Sequence, residues 1–587
     1  MELSKYRSRK HSVSATMWMV VLGAVSALAF AAQENAADKT VPTFTKDVAP
    51  LLLKNCIRCH GWAGIASRVP LTSYEAARSQ AALIKQKVLK LEMPPWPADP
   101  AKSVKFRNDA RLSQKEIETI VAWVDGGTPK GAEADLPPMP KAENGAWMHP
   151  EGLKPDLVIS LPGDVHLPAE GQLPYMRLLV KLPFSDDRWV AASQTRPSNP
   201  AVVHHMALTE MALPDGMSPS NVGQLALVAQ QMGIANTLVE PTPAVTTQLL
   251  PDQSDMLGIY TPGSALEMYR EGTAKLLKGG KNMYLDFNVH YETSGKPESD
   301  RSMIAFWFQP GPPEHQLFRV NGAGETILAN GKELLTDDPG IKAEGTHVVI
   351  PPIPPFAENY ELVGITGYPE PVTIYQFQPH AHHRGKDFTY TVVYPDGREK
   401  TLLSVPKYDH RWQIAYEPET PVKLPAGSKL VVTAHYDNSK RNMHNPSPDK
   451  DVYFRDQNQS WDEMFTPFIQ FSIDNQEPTK LPVTKKGALE IGEVVGCLGP
   501  TSGGTWVLSN ASEPAKSETQ ATTSAALKAA EERPLGSQQY RLLGLSAFNP
   551  SRHKGEKVAV KGILLQDSND LRINVTSLQM IIAKCSK

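Results

Sequence analysis

The chain has little cysteine, little net charge and little continuous apolar sequence. Four cysteines in 587 residues are too few for a scaffold held together by disulfides. Lys and Arg number 60 and Asp and Glu number 63, for a net charge of −3, so no basic excess favours a nucleic-acid partner. After residue 31 no apolar run approaches the roughly 20 residues that cross a bilayer, so we expect no membrane span in the mature chain.

Signatures of several common enzyme classes are also missing. The sequence has no P-loop, no G-x-G-x-x-G after a predicted strand, no G-x-S-x-G and no H-E-x-x-H. The 16 histidines, in contrast, are enough to build metal sites where they cluster.

The N-terminus has the pattern of an export signal. Basic residues at 5–11 precede an apolar run at 17–31, with A-x-A cleavage motifs at 27–29 and 29–31. We therefore predict a signal peptide at 1–31 and a mature protein that is periplasmic or secreted, in a bacterium. An uncleaved N-terminal anchor is the alternative.

Composition divides the rest of the chain into several, mainly β, domains. Helix signals in the first region include a capping box from Ser113 to Glu116. Later, short alternating apolar runs between Pro, Gly and Asn or Asp turns are typical of antiparallel, jelly-roll-like β-sandwiches. The predicted domains are a helical domain at 40–130, a linker at 131–155, sandwiches at 156–328 and 329–485, and a small β domain at 487–587.

The C-terminal region predicts a small β-barrel. Residues 487–587 hold about five strand signals, and 555–580 resembles the small OB-like barrels of exported bacterial proteins. Cys497 and Cys585 lie near the two ends of this domain. Two cysteines in an exported domain usually pair, so we predict a disulfide between them. An Ala-, Ser-, Thr- and Glu-rich stretch at 509–537 is expected to be a flexible insertion.

A haem-attachment motif lies in the helical domain. Cys56, Cys59 and His60 form C-x-x-C-H, in which two thiols can bind the haem vinyl groups and the histidine can bind the iron. Met93, before a Pro-rich turn, is the candidate sixth ligand, and a His/Met pair suits electron transfer. The alternatives are a redox C-x-x-C or a zinc knuckle, which would need more ligands nearby. The segment resembles single-haem cytochrome c domains, which implies one covalently bound haem c.

Further chemistry lies in the clustered histidines of the sandwich region. His204 and His205 are adjacent, so they can share a metal only at a strand end or a bulge. His290 ends an alternating strand, and His380 and His382 share one face of another. Imidazoles with a thioether suit copper. Each histidine alone has an ordinary alternative, which is a solvated position on a polar face.

Four short motifs, taken in order, carry a family resemblance. They are H-H-M at His204–Met206, N-V-H-Y at Asn288–Tyr291, H-x-H-H-x-G-K at His380–Lys386 and D-E-M at Asp462–Met464. Over about 170–475 this order resembles the copper type II, ascorbate-dependent monooxygenases, in a bacterial form fused to an N-terminal cytochrome c domain. The family includes peptidylglycine α-hydroxylating monooxygenase and dopamine β-monooxygenase.

The resemblance implies two copper ions, one on each sandwich. The ligands implied for the electron-transfer copper are His204, His205 and His290. Those implied for the oxygen-binding, catalytic copper are His380, His382 and Met464. His383 matches a non-ligating histidine of the family, whereas His435 and His444 have no ligand counterpart and are interpreted as structural or surface residues.

Departures from the family concern the substrate. Gln378 stands where peptide-amidating members have Arg, and Thr466 and Phe468 stand where they have Asn and Tyr. A glycine-extended peptide is therefore not supported as the substrate.

The function expected from these motifs is hydroxylation of a C–H bond with O₂. The substrate would be a small organic or peptide-like molecule, and the external electron donor an ascorbate-like reductant or a periplasmic redox protein. The chain's own haem would relay the electrons. The alternative is a non-catalytic periplasmic electron-transfer or copper-binding protein.

Overall fold

The computed structural model describes most of the chain after residue 40. The described residues are 41–61, 66, 69–138, 147–171, 173, 176–213, 215, 256–261, 266–335, 350–454, 461–478, 488–567 and 570–585. The predicted signal peptide at 1–31 lies outside them. Within them strands far outnumber helices, which confirms a multidomain, mainly β chain. No helix of these residues is long and apolar enough to cross a membrane.

The N-terminal unit is helical. Its helices are α1 (Ala49–Asn55), α2 (Ile57–His60), α3 (Tyr74–Ser79), α4 (Ala81–Leu89) and α5 (Gln114–Asp125), with single turns at Phe44–Val48 and Glu133–Asp135. The predicted capping box begins α5, because the Ser113 side chain accepts from the Glu116 backbone N–H and the Glu116 carboxylate accepts from that of Ser113. Trp123 of α5 is buried against Phe44, so this unit has its own core.

Residues 96–110 correct the predicted boundaries of the helical domain. This stretch, inside the predicted range 40–130, leaves the helical unit and joins a β-sandwich core. Trp96 is buried there, and Phe106 packs against Tyr416 with ring centroids 5.4 Å apart. The stretch has no helical periodicity, and its aromatic side chains are shielded from water by a neighbouring sheet instead.

The first sandwich contains two main sheets and a small one. The larger sheet has the order β1 (Leu157–Ser160), β11 (Met303–Gln309), β4 (Arg188–Arg196), β8 (Thr273–Leu277) and β12 (His315–Gln316), with β7 (Leu266–Met268) also beside β4. The facing sheet has the order β3 (Met176–Lys181), β9 (Met283–Tyr291), β5 (Val203–Ala212) and β6 (Met256–Tyr260). The small sheet pairs β2 (Val165–Leu167) with β10 (Glu298–Asp300). Leu208, Phe287 and Phe306 belong to the apolar core of this sandwich.

The second sandwich also has two sheets. One has the order β13 (Phe318–Asn321), β21 (Phe468–Ile473), β16 (Val372–Gln378) and β19 (Val422–Leu424). The other has the order β14 (Glu325–Leu328), β15 (Tyr360–Tyr368), β20 (Ser428–Tyr436), β17 (Gly385–Val393) and β18 (Glu399–Val405).

The boundary between the sandwiches falls earlier than predicted. Strands β13 and β14 lie within the range 156–328 that we assigned to the first sandwich, but they pair with β21 and β15 of the second. Backbone pairing partners that are distant in the chain decide this boundary. Arg319 of β13 is fully buried and forms an ion pair with Glu267 of β7 at 2.8 Å, which ties the two sandwiches together.

The C-terminal domain is a closed barrel, which confirms the OB-like prediction. Its strand order is β22 (Ile491–Pro500), β23 (Trp506–Ala511), β25 (Gln538–Leu543), β27 (Asp570–Ile582) and β26 (Lys557–Asp567), with β24 (Ala515–Ser517) beside β22. β26 pairs back to β22 and closes the barrel, and only the β25–β27 pair among its ladders is parallel. The predicted bridge between Cys497 and Cys585 is present, with their Cα atoms 5.6 Å apart.

The stretch 509–537 is more ordered than the flexible insertion we expected. It contains the end of β23, all of β24 and the helix α6 (Ser524–Glu531). The Thr523 side chain accepts from the Ala526 backbone N–H and caps this helix. Ala530 is buried with Val495 of the barrel, so tertiary packing gives order to a sequence of weak intrinsic signals.

The barrel packs on the second sandwich. Ile365 of β15 belongs to the same apolar cluster as the barrel residue Val560. The buried Asn574 side chain donates to the Val393 and Gly427 carbonyls of the sandwich. These contacts hold the barrel against the second sandwich.

Candidate metal centre and adjoining cleft

Three histidines meet where β5 and β9 pair. His205 lies opposite His290 in the antiparallel ladder, and the register shifts between Val203 and His205. His204 is therefore the extra residue of a β-bulge. A bulge is the arrangement that lets two adjacent histidines face one metal ion. From the sequence, His204 and His205 could share a metal only at a strand end or a bulge, and the structure contains the bulge.

The imidazole nitrogens of this histidine triad are close enough to share one ion. One ligand atom from each of His204, His205 and His290 lies within 4.8 Å of the others. His290 Nδ1 and His205 Nε2 are 3.3 Å apart. Among the described residues neither ring nitrogen of His204 has a hydrogen-bond partner, although both are buried. A buried polar atom without a partner is costly, and a metal ion would satisfy it.

The second set of predicted ligands lies just beyond the end of β16. We expected His380 and His382 on one face of a strand, but both follow its last residue, Gln378, in the connection to β17. The side chains still alternate in direction, although this stretch pairs with none of the described strands. Ala381, between the two histidines, is fully buried in the apolar core. The two histidines therefore point away from that core.

Hydrogen bonds fix the orientation of both rings. His380 Nδ1 lies 2.8 Å from Gln413 Oε1, and His382 Nδ1 lies 2.9 Å from the Asp462 carbonyl oxygen. Nε2 is then the nitrogen of each ring that would bind a metal. The Met464 sulfur lies 3.0 Å from His380 Nε2, so the third predicted ligand lies next to this nitrogen.

A buried carboxylate holds the two segments of this site together. Glu463 accepts hydrogen bonds from the backbone N–H groups of His382, Arg384 and Met464, at 2.8, 2.7 and 3.2 Å. Burial raises the pKa of Glu463 to about 7, although these hydrogen bonds and Arg384 lower it. Tyr436 adds a hydrogen bond from its hydroxyl to the Met464 carbonyl at 2.8 Å.

The two ligand sets adjoin each other. The rings of His205 and His380 have centroids 5.4 Å apart and meet nearly perpendicularly. Met256 and Ile259 of β6 pack with Phe468 of β21 beside this contact. The resemblance implied two sites on separate sandwiches, and the structure brings both into one buried cluster.

Burial keeps the imidazoles of the cluster neutral. It lowers the pKa of His204 and of His380 to about 4. It also lowers the pKa values of His205, His290 and His382 well below the usual range, with neighbouring histidines adding to the effect. Neutral imidazole is the form that binds metals, and this donor set of nitrogens with one thioether fits copper.

The predicted haem ligands line one cleft. Its volume is about 1320 Å³, counting the part open to solvent. The lining residues include Cys56, Cys59, His60, Met93, Pro94, Pro95, Trp96, Trp412, Ile414 and Ala415. His60 Nδ1 lies 2.8 Å from the Val69 carbonyl oxygen, which makes Nε2 the nitrogen that would bind iron. Burial, with Cys59 nearby, raises the pKa of Cys56 to about 12.

One turn of the second sandwich contacts both the cleft and the histidine cluster. Trp412 and Ile414 line the cleft. His410 has its ring centroid 5.9 Å from that of His204, and Gln413 contacts His380. Sequence reasoning missed His410 and Gln413, because they lie in a stretch without alternation or a known motif.

Comparisons with known proteins give little guidance. No protein-family model matches the chain, and no curated protein does. One similar solved structure is that of the uncharacterized protein lmo2446 from Listeria monocytogenes EGD-e, in complex with α-D-glucose, β-D-glucose, magnesium and calcium. Its identity is 14% and its TM-score 0.15, over 52% of this chain and 19% of that one. The match spans about a fifth of that protein and assigns neither fold nor function.

Proposed function

We propose that the chain is an exported monooxygenase that carries two copper ions and one haem c and hydroxylates a C–H bond with O₂. One observation carries the proposal. Six residues singled out by four separated motifs converge into one buried cluster, as two adjoining sets of three. The ligand sets are His204, His205 and His290, and His380, His382 and Met464.

The chain's own groups prepare the site for that chemistry. Bound copper would supply one-electron storage at the histidine triad and O₂ activation at the methionine-containing set. Gln413 and the Asp462 carbonyl hold the rings of His380 and His382, so little ordering is needed when a metal binds. Apolar packing around Phe468 keeps bulk water away from reactive species.

The substrate is proposed to be a small organic molecule rather than a glycine-extended peptide. Gln378 is buried, and its side chain donates to the Gln413 carbonyl at 3.3 Å. Thr466 is also buried, and its backbone N–H donates to the His380 carbonyl at 3.3 Å. Both residues contribute to the support of the metal site, and neither supplies the cationic group that binds a peptide carboxylate.

The haem is proposed as the internal electron source. The cleft that would hold it and the histidine cluster share the turn that contains His410 and Trp412. An ascorbate-like reductant or a periplasmic redox protein would supply the haem in turn. His/Met ligation by His60 and Met93 would suit this transfer role.

Oxidation of the haem by O₂ tests the function. The protein is reduced without oxygen, mixed with O₂ with and without bound copper, and followed by the haem absorbance. We expect copper to accelerate haem oxidation several-fold, and His204→Ala with His290→Ala to abolish that acceleration. His166→Ala removes an exposed histidine of β2 and serves as the control. Haem oxidation that is independent of copper would contradict the relay.

The close packing of the two ligand sets also supports a second candidate, a non-catalytic electron-transfer or copper-binding protein. The His205 and His380 rings are in contact, so the space for a substrate between them is small. Measuring O₂ uptake in excess of the electrons stored on the protein, with a panel of organic substrates, separates the two candidates. Uptake that never exceeds the stored electrons favours the second.

A further inference from the structure

A second group of histidines lies beside the proposed copper ligands. His383, His410 and His444 come from three separate connections of the second sandwich. The ring centroids of His383 and His410 are 4.4 Å apart, and those of His410 and His444 are 5.1 Å apart. We interpreted His383 and His444 from the sequence as non-ligating residues, and the structure brings both to one buried histidine, His410.

The ring separations within this group are close to those of metal ligands. Two imidazoles on one tetrahedral ion, with metal–nitrogen distances of about 2.0–2.1 Å, place their ring centroids roughly 5 Å apart. Within the triad of His204, His205 and His290 the separations are 5.3, 5.1 and 4.9 Å. The two His410 pairs, at 4.4 and 5.1 Å, have similar centroid separations. Among the described residues, only the ligand atoms of His204, His205 and His290 already lie within 4.8 Å of one another, so the side chains of His383, His410 and His444 have to move before they share an ion.

A hydrogen-bond network prearranges the three residues. The Asn442 side chain donates to the His383 carbonyl oxygen at 2.9 Å, and its own oxygen accepts from the His444 backbone N–H at 3.0 Å. A single side chain thus joins two of the three histidines. Gln413 donates to the His410 carbonyl at 3.2 Å and fixes the third. These hydrogen bonds fix the backbone of the three residues and leave their rings free to turn.

An unsatisfied polar atom at the cluster also favours a metal ion. Nδ1 of His383 is buried and, among the described residues, has no hydrogen-bond partner. The Asp409 carboxylate lies 3.9 Å from His410 Nδ1, but the Arg411 side chain binds it, so the three imidazoles are the donors that the site offers. An unsatisfied imidazole nitrogen beside two other imidazoles is a donor set for borderline divalent metals.

The geometry points to a third metal site, held by His383, His410 and His444, that binds Zn²⁺ or Cu²⁺. It goes beyond the proposed function, since it uses none of the six residues assigned to copper there. The His410 ring, 5.9 Å from that of His204, places the site next to the histidine triad. An ion there would fix the turn that lies between the cleft and the triad.

Metal counting on the full-length, haem-loaded protein tests the site. Metal-free protein is loaded separately with Zn²⁺ and with Cu²⁺, dialysed, and assayed for bound metal per haem by mass spectrometry. We expect His444→Ala to bind one equivalent less than the wild type with at least one of the two metals. Met443→Ala, which changes the adjacent and 91% exposed side chain, is expected to bind as much as the wild type.

A second measurement does not depend on a variant that folds. Crystals of the wild-type protein soaked in Zn²⁺ or Cu²⁺ should give an anomalous-scattering peak bounded by the His383, His410 and His444 rings. Equal metal counts for the wild type and His444→Ala, with no such peak, would overturn the proposal.

The two metals and the two proposals give distinguishable outcomes. A peak with only one of the ions identifies the metal that the site prefers. If His380→Ala with Met464→Ala leaves the metal count unchanged while His444→Ala lowers it, the proposed function fails and the third site stands. The reverse result leaves the proposed function intact and removes the third site.

Discussion

At the scale of single residues, hydrogen bonds to the imidazole rings organise the candidate metal centre. Nδ1 of His380 contacts Gln413, and Nδ1 of His382 contacts the Asp462 carbonyl oxygen. Both rings are buried, so the neutral imidazole is favoured and a defined nitrogen faces the ligand position. Gln413 is the residue through which this idea is most easily tested, since it is not itself a proposed ligand.

Replacing Gln413 by Ala is expected to weaken copper binding at the His380, His382 and Met464 set by roughly 10–100-fold. The ring of His380 would lose the contact that selects its tautomer and orientation. Titration of the reduced protein against a competing Cu(I) chelator measures the change. Gln114→Ala, on the exposed start of α5, is the control. Unchanged affinity in the Gln413 variant would show that the hydrogen bond has no part in metal binding.

At this scale the sequence singled out the residues that converge, but not the residues that hold them in position. His204, His290 and Met464 belong to short motifs, and a motif is local information. His410 and Gln413 reach the site through a turn whose path depends on Tyr408, which bonds to the backbone of Ala381 from far along the chain. Contacts of that kind leave no periodic signal.

At the scale of strands, pairing decides which side chains meet. The bulge in β5 brings His204 and His205 together beside His290, and three strands of the second sandwich place His435 between two carboxylates. His435 on β20 lies 2.6 Å from Asp387 on β17 and 3.0 Å from Glu361 on β15. Both ring nitrogens of His435 are within hydrogen-bond distance of a carboxylate, which gives the sheet a pH-dependent contact.

The His435 contact is expected to stabilise the fold at low pH and not at high pH. Hydrogen bonds to Asp387, and then to Glu361, raise the pKa of His435 above its ordinary value of 6.5. A raised folded-state pKa gives stability that is fully present below about 6.5 and is lost as pH rises through the folded-state pKa. Wild-type protein should therefore exceed His435→Gln in free energy of unfolding by about 1–2 kcal/mol at pH 5.5, and by less at pH 9.

Urea unfolding at both pH values measures this difference, with His166→Gln as the exposed control. A difference between wild type and His435→Gln that is the same at both pH values would contradict the ion-pair account.

Short-range patterns in the sequence predicted the strands themselves. They could not predict that β13 and β14 pair across the expected domain boundary, because partner choice depends on residues far along the chain.

At the scale of the whole molecule, the domains form a connected series. The helical unit contributes residues 96–110 to the second sandwich, and Arg319 ties the first sandwich to the second. The barrel packs on the second sandwich, where the Asn574 side chain donates to the Val393 carbonyl at the end of β17. The cleft lined by Cys56 and Cys59 and the histidine cluster adjoin through the turn that contains His410, Trp412 and Gln413. Composition alone placed them in separate units, because such contacts join residues that are distant in the chain.

The disulfide of the barrel is expected to stabilise this domain. Cys497 and Cys585 close a loop with a sequence separation of 88 residues, and such a link restricts the unfolded chain. Cys497→Ser with Cys585→Ser should lower the free energy of unfolding of the barrel by roughly 2–4 kcal/mol. Denaturant unfolding followed by hydrogen exchange of the backbone amides of β23 reports on it. The oxidised and reduced wild-type proteins form the control pair, and equal midpoints for the variant and the oxidised wild type would contradict the prediction.

The number of copper ions bound per haem tests the central claim most directly. Copper-loaded wild-type protein is compared with His204→Ala plus His290→Ala, with His380→Ala plus Met464→Ala, and with the exposed-site control His166→Ala plus Met443→Ala. The two-site account predicts that each ligand pair removes one copper equivalent and that the control removes none. A copper count that is the same in all four proteins would contradict it.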